Sequence, residues 1–436
     1  MSTIAAIATG PAAGGIGIIR LSGPAALSAA RRVARALPSE LTPRHAYFTR
    51  FTDAAGAVLD EGLALFFRAP HSFTGEDVVE LHAHGAPRLL SLLLTELLRH
   101  PDVRLATPGE FTRRAFLSGR IELSRAEAVA ELVAAESEAQ VRAAAAQLTG
   151  ELNARLEAVH APLLELQADL EGSLDFPEEA EGADQHAGAR LEEALTAVRA
   201  LLADAKRGAL IRRGARVVLY GPVNAGKSTL FNALAGAARA LVDPEPGTTR
   251  DLLETRLELE GLALTLVDTA GLRDDAGRLE AMGIARTREG LVGADLAVLV
   301  LPPDATADQR TTWRAECDDA RRVEVWAKAD LHPAGDRLLS VSGLTGLGLN
   351  ELRQALGARL GAGAASAVLA TSERHLAALE LVEAALTRAR AALDVSTLEV
   401  VAGEVGLALH ALAELTGEDV SEALLDAIFS RFCIGK

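Results

Sequence analysis

The chain has 436 residues, 49% hydrophobic and 24% charged, which is an ordinary globular profile with length for about two to four domains. Its 60 acidic residues outweigh 44 basic ones for a net charge of −16, so bulk electrostatics will not hold nucleic acid, and such a role needs a local basic patch or a basic partner. Two cysteines, Cys317 and Cys433, give neither a disulfide framework nor a metal cluster and point to a reducing, cytoplasmic setting, and no apolar run reaches transmembrane length.

The opening residues, Met1 to Ala8, lack a basic leader and read as a first strand. Up to residue 118, strand-like runs (Gly17–Leu21, Gly62–Phe67, Asp77–Leu81) alternate with helices such as Pro87–Arg99, giving an α/β domain over 1–118. From about 121 to 175, Glu, Ala, Leu and Arg dominate with almost no Gly or Pro, which predicts two long helices. Residues 176–182 break them, and a further helix runs over about 188–208. Residues 210–365 alternate strands and helices, as in a parallel doubly wound sheet, and end in the small-residue linker Gly361–Ser366. Helical text resumes over 366–436. The economical reading is a multidomain α/β protein. A helical domain in two segments, 119–209 and 366–436, receives the α/β domain of 210–365 as an insertion.

The chemistry starts at Gly221-Pro-Val-Asn-Ala-Gly-Lys227-Ser228-Thr229, between the apolar run Arg216–Tyr220 and a helical run from Leu230. Strand, G-x-x-x-x-G-K-[ST] loop and helix together make a phosphate cradle. The glycines let backbone N–H groups turn toward phosphate oxygens, and the helix N-terminus favours anions. Asn224, Ala225, Gly226, Lys227, Ser228 and Thr229 are the candidate contacts, with Lys227 on the β- and γ-phosphates and Ser228 on Mg²⁺. Only four of the 44 basic residues are lysines, so Lys227 stands where a compact ammonium is required.

Further pieces follow in order. Pro246–Asp251 contains Thr248 and Thr249. The strand Leu262–Val267 delivers Asp268-Thr269-Ala270-Gly271, a Mg²⁺ and switch element. Then come Lys328-Ala-Asp330 and Ser342-Gly343-Leu344. A carboxylate at Asp330 can accept guanine N1–H and the 2-amino group, a donor pair that adenine lacks. The set resembles the five motifs of the translation-factor-like GTPases. Asparagine is usual there where Ala327 stands, and Ala-Lys where Gly343 and Leu344 stand. One side-chain amide, worth about 1 kcal/mol, is lost, so guanine is expected with weaker discrimination. Leu272 occupies the position where switch GTPases often carry a water-orienting Gln.

Long strings outside this region resemble the MnmE (TrmE) family of tRNA uridine-modification GTPases. They are Ile4–Thr9, Gly14–Pro24, Ser72–Gly85, Pro108–Arg120 and the ending Phe432-Cys433-Ile-Gly-Lys436. The resemblance covers nearly the whole chain and implies the following. The N-terminal domain binds a 5-formyl- or methylene-tetrahydrofolate through Arg20, Glu80, Arg120 and Lys436, and forms a homodimer. Glu280 is the catalytic residue, although by sequence alone it reads as a solvated helix position. Asp243 joins the GTP contacts. Mg²⁺ sits on Ser228 and Thr249. K⁺ sits on Asn224, Asp243, Glu245 and Thr248, in a loop more acidic and proline-rich than the family's. An FAD- and NADH-using partner, MnmG (GidA), joins it in a heterotetramer or larger and carries most of the tRNA binding. Together they build an aminomethyl or carboxymethylaminomethyl group on C5 of the wobble uridine, with no membrane involved.

Two rivals stay open, a ribosome-assembly switch of the Era or Der type and a mechanical G-domain scaffold without folate. His82 and His84, two apart on a strand, read as hydrogen-bonding residues rather than metal ligands. Cys433 is not read as a direct catalyst.

Overall fold

The computed structural model describes residues 2–175, 183–240, 253–269, 290–332, 339–361, 372–418 and 420–435. These form two compact units. The first contains the chain up to Val133, Leu148–His160 and the residues from Gly406 onward. The second contains Ala134–Gln147 and Ala161–Val405.

In the first unit, β1 (Thr3–Ile7), β2 (Gly14–Ser22), α1 (Ala26–Val33), β3 (Ala46–Thr52), β4 (Val58–Phe67), β5 (Val78–Gly85), α2 (Pro87–Leu98) and β6 (Val103–Leu105) follow in order. The sheet order is β3-β4-β5-β2-β1-β6, antiparallel except for the β1–β6 pair. Alternation along β5 sends Val79, Leu81 and Ala83 to one face, where they meet Leu90, Leu93 and Leu97 of α2 and the Ala-rich side of α1. Each of those three leucines contributes ~2 kcal/mol by burial. Pro87 at the first turn of α2 fits its fixed φ. On the other face α3 (Glu110–Leu117) places Phe111 against Ile4 and Ala6. The helix Glu422–Phe429 brings Leu425 and Phe429 onto Leu123 and Ala126 of α4 (Leu123–Ala134).

The text of 121–175 forms three helices rather than two: α4, α5 (Glu138–Leu148) and α6 (Glu151–Asp175). Ser137 and Gln140 explain the first break. The Gln140 side chain accepts from the N–H groups of Glu136 and Ser137, and the Ser137 hydroxyl accepts from Gln140 N, an S-x-x-Q capping box. Gly150, at φ 82°, supplies the second. The following helix, α7, is longer than expected at Ala183–Arg213.

In the second unit, β7 (Ala215–Tyr220), α8 (Lys227–Ala237), β8 (Arg239–Ala240), β9 (Leu253–Leu259), β10 (Leu262–Asp268), β11 (Leu296–Leu301), β12 (Arg322–Trp326) and β13 (Leu339–Ser340) build a sheet of order β13-β12-β11-β7-β10-β9-β8. The stretch from β13 to β10 is parallel, and β9 and β8 are antiparallel. The antiparallel edge follows from the β9–β10 turn. Glu260 (φ 51°) and Gly261 (φ 81°) form a two-residue hairpin link, too short for a parallel crossover. Leu230, Phe231 and Leu234 of α8 and Leu352 and Leu356 of Leu349–Leu360 cover one face of the sheet, and Trp313 and Cys317 lie with the other. This is the doubly wound sheet that the alternation of strands and helices predicted. The helix Glu373–Ala392 packs along α7, where Arg199 Nε donates to Glu383 Oε1 at 2.9 Å.

Candidate functional site

The nucleotide motifs converge at the carboxyl ends of the parallel strands, the position where open α/β sheets bind ligands. Gly221 leaves β7 with φ 132°, and a Cβ there would lie 2.5 Å from Val300 O of the neighbouring strand, so only glycine fits. Asn224 adopts φ 61° and Gly226 φ 103° as the chain turns into α8. Gly226 caps α8 without a side-chain bond, leaving first-turn N–H groups for a ligand. Lys227 is buried, and its Nζ donates to Gly221 O at 2.9 Å and Pro222 O at 2.7 Å, spanning the loop. Ser228 and Thr229 are exposed in the same turn.

β10 pairs Asp268 with Leu219 of β7, which sets its carboxylate beside the root of the loop, fully buried. Thr269 Oγ1 donates to Leu219 O at 2.9 Å. Beyond β12 the backbone reverses at Lys328 (φ 59°), and Leu331 N and His332 N both donate to Lys328 O. Ala329 N donates to Val341 O and Val341 N to Trp326 O, which zips the Lys328–Asp330 segment to Ser342–Leu344. Lys328 and Asp330 are exposed. The Ser342 hydroxyl accepts from Leu344 N and Thr345 N, both at 3.3 Å. The Lys328–Asp330 and Ser342–Leu344 segments lie against the Gly221–Thr229 loop. A Cβ at Gly226 would lie 3.5 Å from Ala327 Cβ, and one at Gly343 would lie 2.8 Å from Thr229 O.

A second cluster lies on the first unit. Arg20 of β2 and Glu80 of β5 are register partners, and Arg20 Nε and Nη2 reach Glu80 Oε1 at 2.9 and 2.8 Å. His82 Nε2 lies 3.3 Å from Glu80 Oε2. Phe73 and Phe111 flank the Arg20 guanidinium at 5.9 and 5.8 Å. Arg120 is exposed just past α3, its Cγ 3.5 Å from where a Gly75 Cβ would sit, on the loop that carries Phe73. His84 Nδ1 lies 2.7 Å from Asp60 Oδ1, so both histidines pair with carboxylates, and no metal-ligating cluster occurs among the described residues.

Sequence reading missed what supports this cluster. Arg114 donates to Glu76 Oε2 at 2.8 Å and to Glu110 Oε1 at 2.9 Å, and Ser22 Oγ donates to the same Glu76 oxygen. Burial alone would push the Glu110 carboxyl up, but bonds from Arg104, Thr107 N–H and Arg114 outweigh it and hold it down at about 2. In sequence only the Thr107-x-x-Glu110 spacing hinted at it: Thr107 N and Oγ1 both donate to Glu110 Oε2 at the start of α3. The chain's last described residues cross the end of β1. Gly109 N donates to Cys433 O at 3.5 Å, and a Cβ on Gly435 would lie 2.4 Å from Ile7 O. Cys433 is exposed.

Residues 3–120 match the family described as GTP-binding protein TrmE N-terminus, and residues 123–433 match the MnmE helical domain. The chain belongs to the MnmE (TrmE) family. The tRNA modification GTPase MnmE of Myxococcus xanthus is 60% identical over 436 residues, covering 100% of this chain and 99% of that protein. Its namesake in Bordetella petrii is 44% identical over 448 residues (99% and 98% covered), and that of Parvibaculum lavamentivorans 43% over 443 (100% of both). The solved G domain of the T. maritima FeoB iron transporter is 24% identical over 33% of this chain and 98% of its own, at a TM-score of 0.26.

Of the residues that the MnmE resemblance implicates, Asp243, Glu245, Thr248, Thr249, Ala270, Gly271, Glu280 and Lys436 lie outside the described residues. Those described fall into the two clusters above. The phosphate end suits an anion through its backbone, since Gly221, Asn224 and Gly226 at positive φ turn the chain tightly into the N-terminus of α8, which has no side-chain cap. The Ser228 hydroxyl and the Asp268 carboxylate are oxygen donors of the kind Mg²⁺ takes. No described helix is long and apolar enough to cross a membrane.

Proposed function

We propose that this MnmE-family chain hydrolyses GTP as part of tRNA wobble-uridine modification. The observation that supports it best is the meeting of the Gly221–Thr229 loop, Asp268, Lys328–Asp330 and Ser342–Leu344 at one sheet edge. In this reading backbone N–H groups of 224–229 and Lys227 hold the phosphates, and Asp330 accepts from the guanine N1–H and 2-amino group. Ser228 and Thr249 hold Mg²⁺, which supplies charge neutralisation on the phosphates. Asn224, Asp243, Glu245 and Thr248 hold K⁺ where G domains of two chains meet. Glu280 orients water in place of the group that Leu272 lacks.

The first unit is read as the folate site. Arg20, Arg120 and Lys436 offer cations for the glutamate tail. Glu80, now bonded to Arg20 and His82, offers a carboxylate to the pterin edge. Domains over 1–118, 119–209, 210–365 and 366–436, a homodimer, and the FAD-dependent partner MnmG as the tRNA-binding half complete the proposal.

Wobble-uridine analysis of tRNA from a deletion strain tests it. C5-aminomethyl derivatives should vanish, return with the wild-type chain and stay absent with Lys227→Ala. Intact modification in the deletion strain refutes the reading. Steady-state GTP hydrolysis should be faster in K⁺ than in Na⁺, and titration of the full chain with 5-formyltetrahydrofolate should saturate. Equal rates in the two salts would remove Asn224 from its role.

A further inference from the structure

Behind the Arg20–Glu80 cluster of the first unit lies a closed ring of hydrogen bonds. Glu76 N donates to Thr74 Oγ1 at 3.3 Å, and Ser22 Oγ donates to Glu76 Oε2 at 2.7 Å. The single hydroxyl proton of Ser22 is thereby committed, so Thr74 is the donor across the 2.7 Å contact between the two hydroxyls. Both hydroxyls belong to fully buried residues, and each donates once and accepts once. Arg114 braces the ring from α3. Its Nη1 donates to the same Glu76 oxygen at 2.8 Å, and its Nη2 donates to Ser2 O at 2.9 Å. The ring joins the elements that carry the cluster. Ser22 ends β2, two residues beyond Arg20, and Glu76 leads into β5, which carries Glu80. Thr74 directly follows Phe73, whose ring lies 5.9 Å from the Arg20 guanidinium. Ser118 Oγ donates to Thr74 O at 2.8 Å, two residues before Arg120.

We infer that Ser22, Thr74 and Glu76 are positioning residues for the folate site, their ring holding Phe73 and the Arg20–Glu80 pair in the arrangement that accepts the ligand. The inference rests on the folate reading above. The Ser22 and Thr74 hydroxyls are buried and committed to the ring, so they act through the loop of residues 72–76 and not by contact with a ligand. Opening the ring gives that loop alternative conformations, and apparent affinity then falls in proportion to the fraction still in the competent one.

Calorimetric titration of the full chain with 5-formyltetrahydrofolate, well below the melting temperature of each variant, tests this. Thr74→Val keeps the side-chain shape but removes the oxygen that accepts from Glu76 N and donates to Ser22. Its affinity is expected to fall about tenfold or more, because a buried N–H left without a partner favours displacement of the loop. Thr74→Ser keeps the oxygen and is expected within about twofold of wild type. If Thr74→Val does not fold, Ser22→Ala opens the ring at its other hydroxyl and is expected to weaken binding about tenfold. Thermal melting separates this role from simple stabilisation. Wild-type affinity in folded Thr74→Val or Ser22→Ala, even with a lowered melting temperature, reduces the ring to a structural role and overturns the inference. Equal losses in Thr74→Ser and Thr74→Val overturn it as well, since the loss would then not follow the hydroxyl. Failure of the wild-type chain to bind removes the folate reading and this inference together.

Discussion

Gly343→Ala adds a single methyl group, the residue usual in the wider GTPase family, and should nonetheless damage this protein. The new Cβ would sit 2.8 Å from Thr229 O, 2.9 Å from Thr229 C and 3.0 Å from Leu230 N. Comfortable carbon contacts begin at roughly 3.5 Å, so about half an ångström must be found. All three neighbours are backbone atoms in the first turn of α8, the turn that also carries Lys227 and Ser228, and none can swing aside as a side-chain end can. Overpacking of this kind costs about 1–3 kcal/mol. If the loop holds its place, the cost appears as lost stability, about 2–4 °C of Tm per kcal/mol for a unit of this size. If Ser342–Leu344 lifts off instead, the cost appears as roughly 5- to 150-fold weaker nucleotide binding. Calorimetric titration with GDP and thermal melting followed by tryptophan fluorescence should together account for it. GDP affinity within twofold of wild type and a melting temperature within about 1 °C would refute the close approach.

Three further outcomes follow from the described geometry. Asp330→Asn should weaken GTP binding about 100-fold and restore binding of xanthosine triphosphate, measured by the same titration; unchanged GTP affinity would remove Asp330 from base recognition. The folded-state pKa of Glu110, about 2, lies below its unfolded value, so its stabilisation is complete above roughly pH 4.5 and is lost as pH falls through about 2. Amide protection over α3, corrected for intrinsic exchange, should therefore drop across that window in the wild type. In Glu110→Gln it should be low already at pH 6, and a flat wild-type profile argues against the network. Gly109→Ala should cost about 2–4 kcal/mol, because φ is 68° and the Cβ would meet Phe429 O at 2.7 Å. Hydrogen exchange over 422–429 should rise in that variant while α8 is unaffected.

The sequence made the phosphate end legible because its parts are contiguous. A strand, two glycines with fixed offsets, a lysine and a helix follow one another within 15 residues, from Ala215 to Thr229. Asp268 was legible for a similar reason, as the carboxylate ending an apolar strand. What could not be read was whatever depends on register or on distant chain. Arg20 faces Glu80 only because β2 pairs β5 in one particular register. The helix break at Ser137 hid in a stretch whose composition is uniformly helical, and only the S-x-x-Q spacing to Gln140 betrays it. Gly343 read as the loss of a familiar side chain, whereas its contact with Thr229, more than 100 residues earlier, gives a steric reason for the glycine.

The packing of Leu425, Phe429 and Phe432 on Leu123 and Ala126 has a temporal side. These partners are separated by about 300 residues of chain. At roughly 5–20 residues per second, a ribosome takes some 15–60 s to make that stretch. The first unit is therefore synthesised first and finished last. Its sheet can form early, but α3 and α4 wait with an uncovered apolar face until the final helix emerges. A nascent chain arrested anywhere in the second unit carries that face exposed.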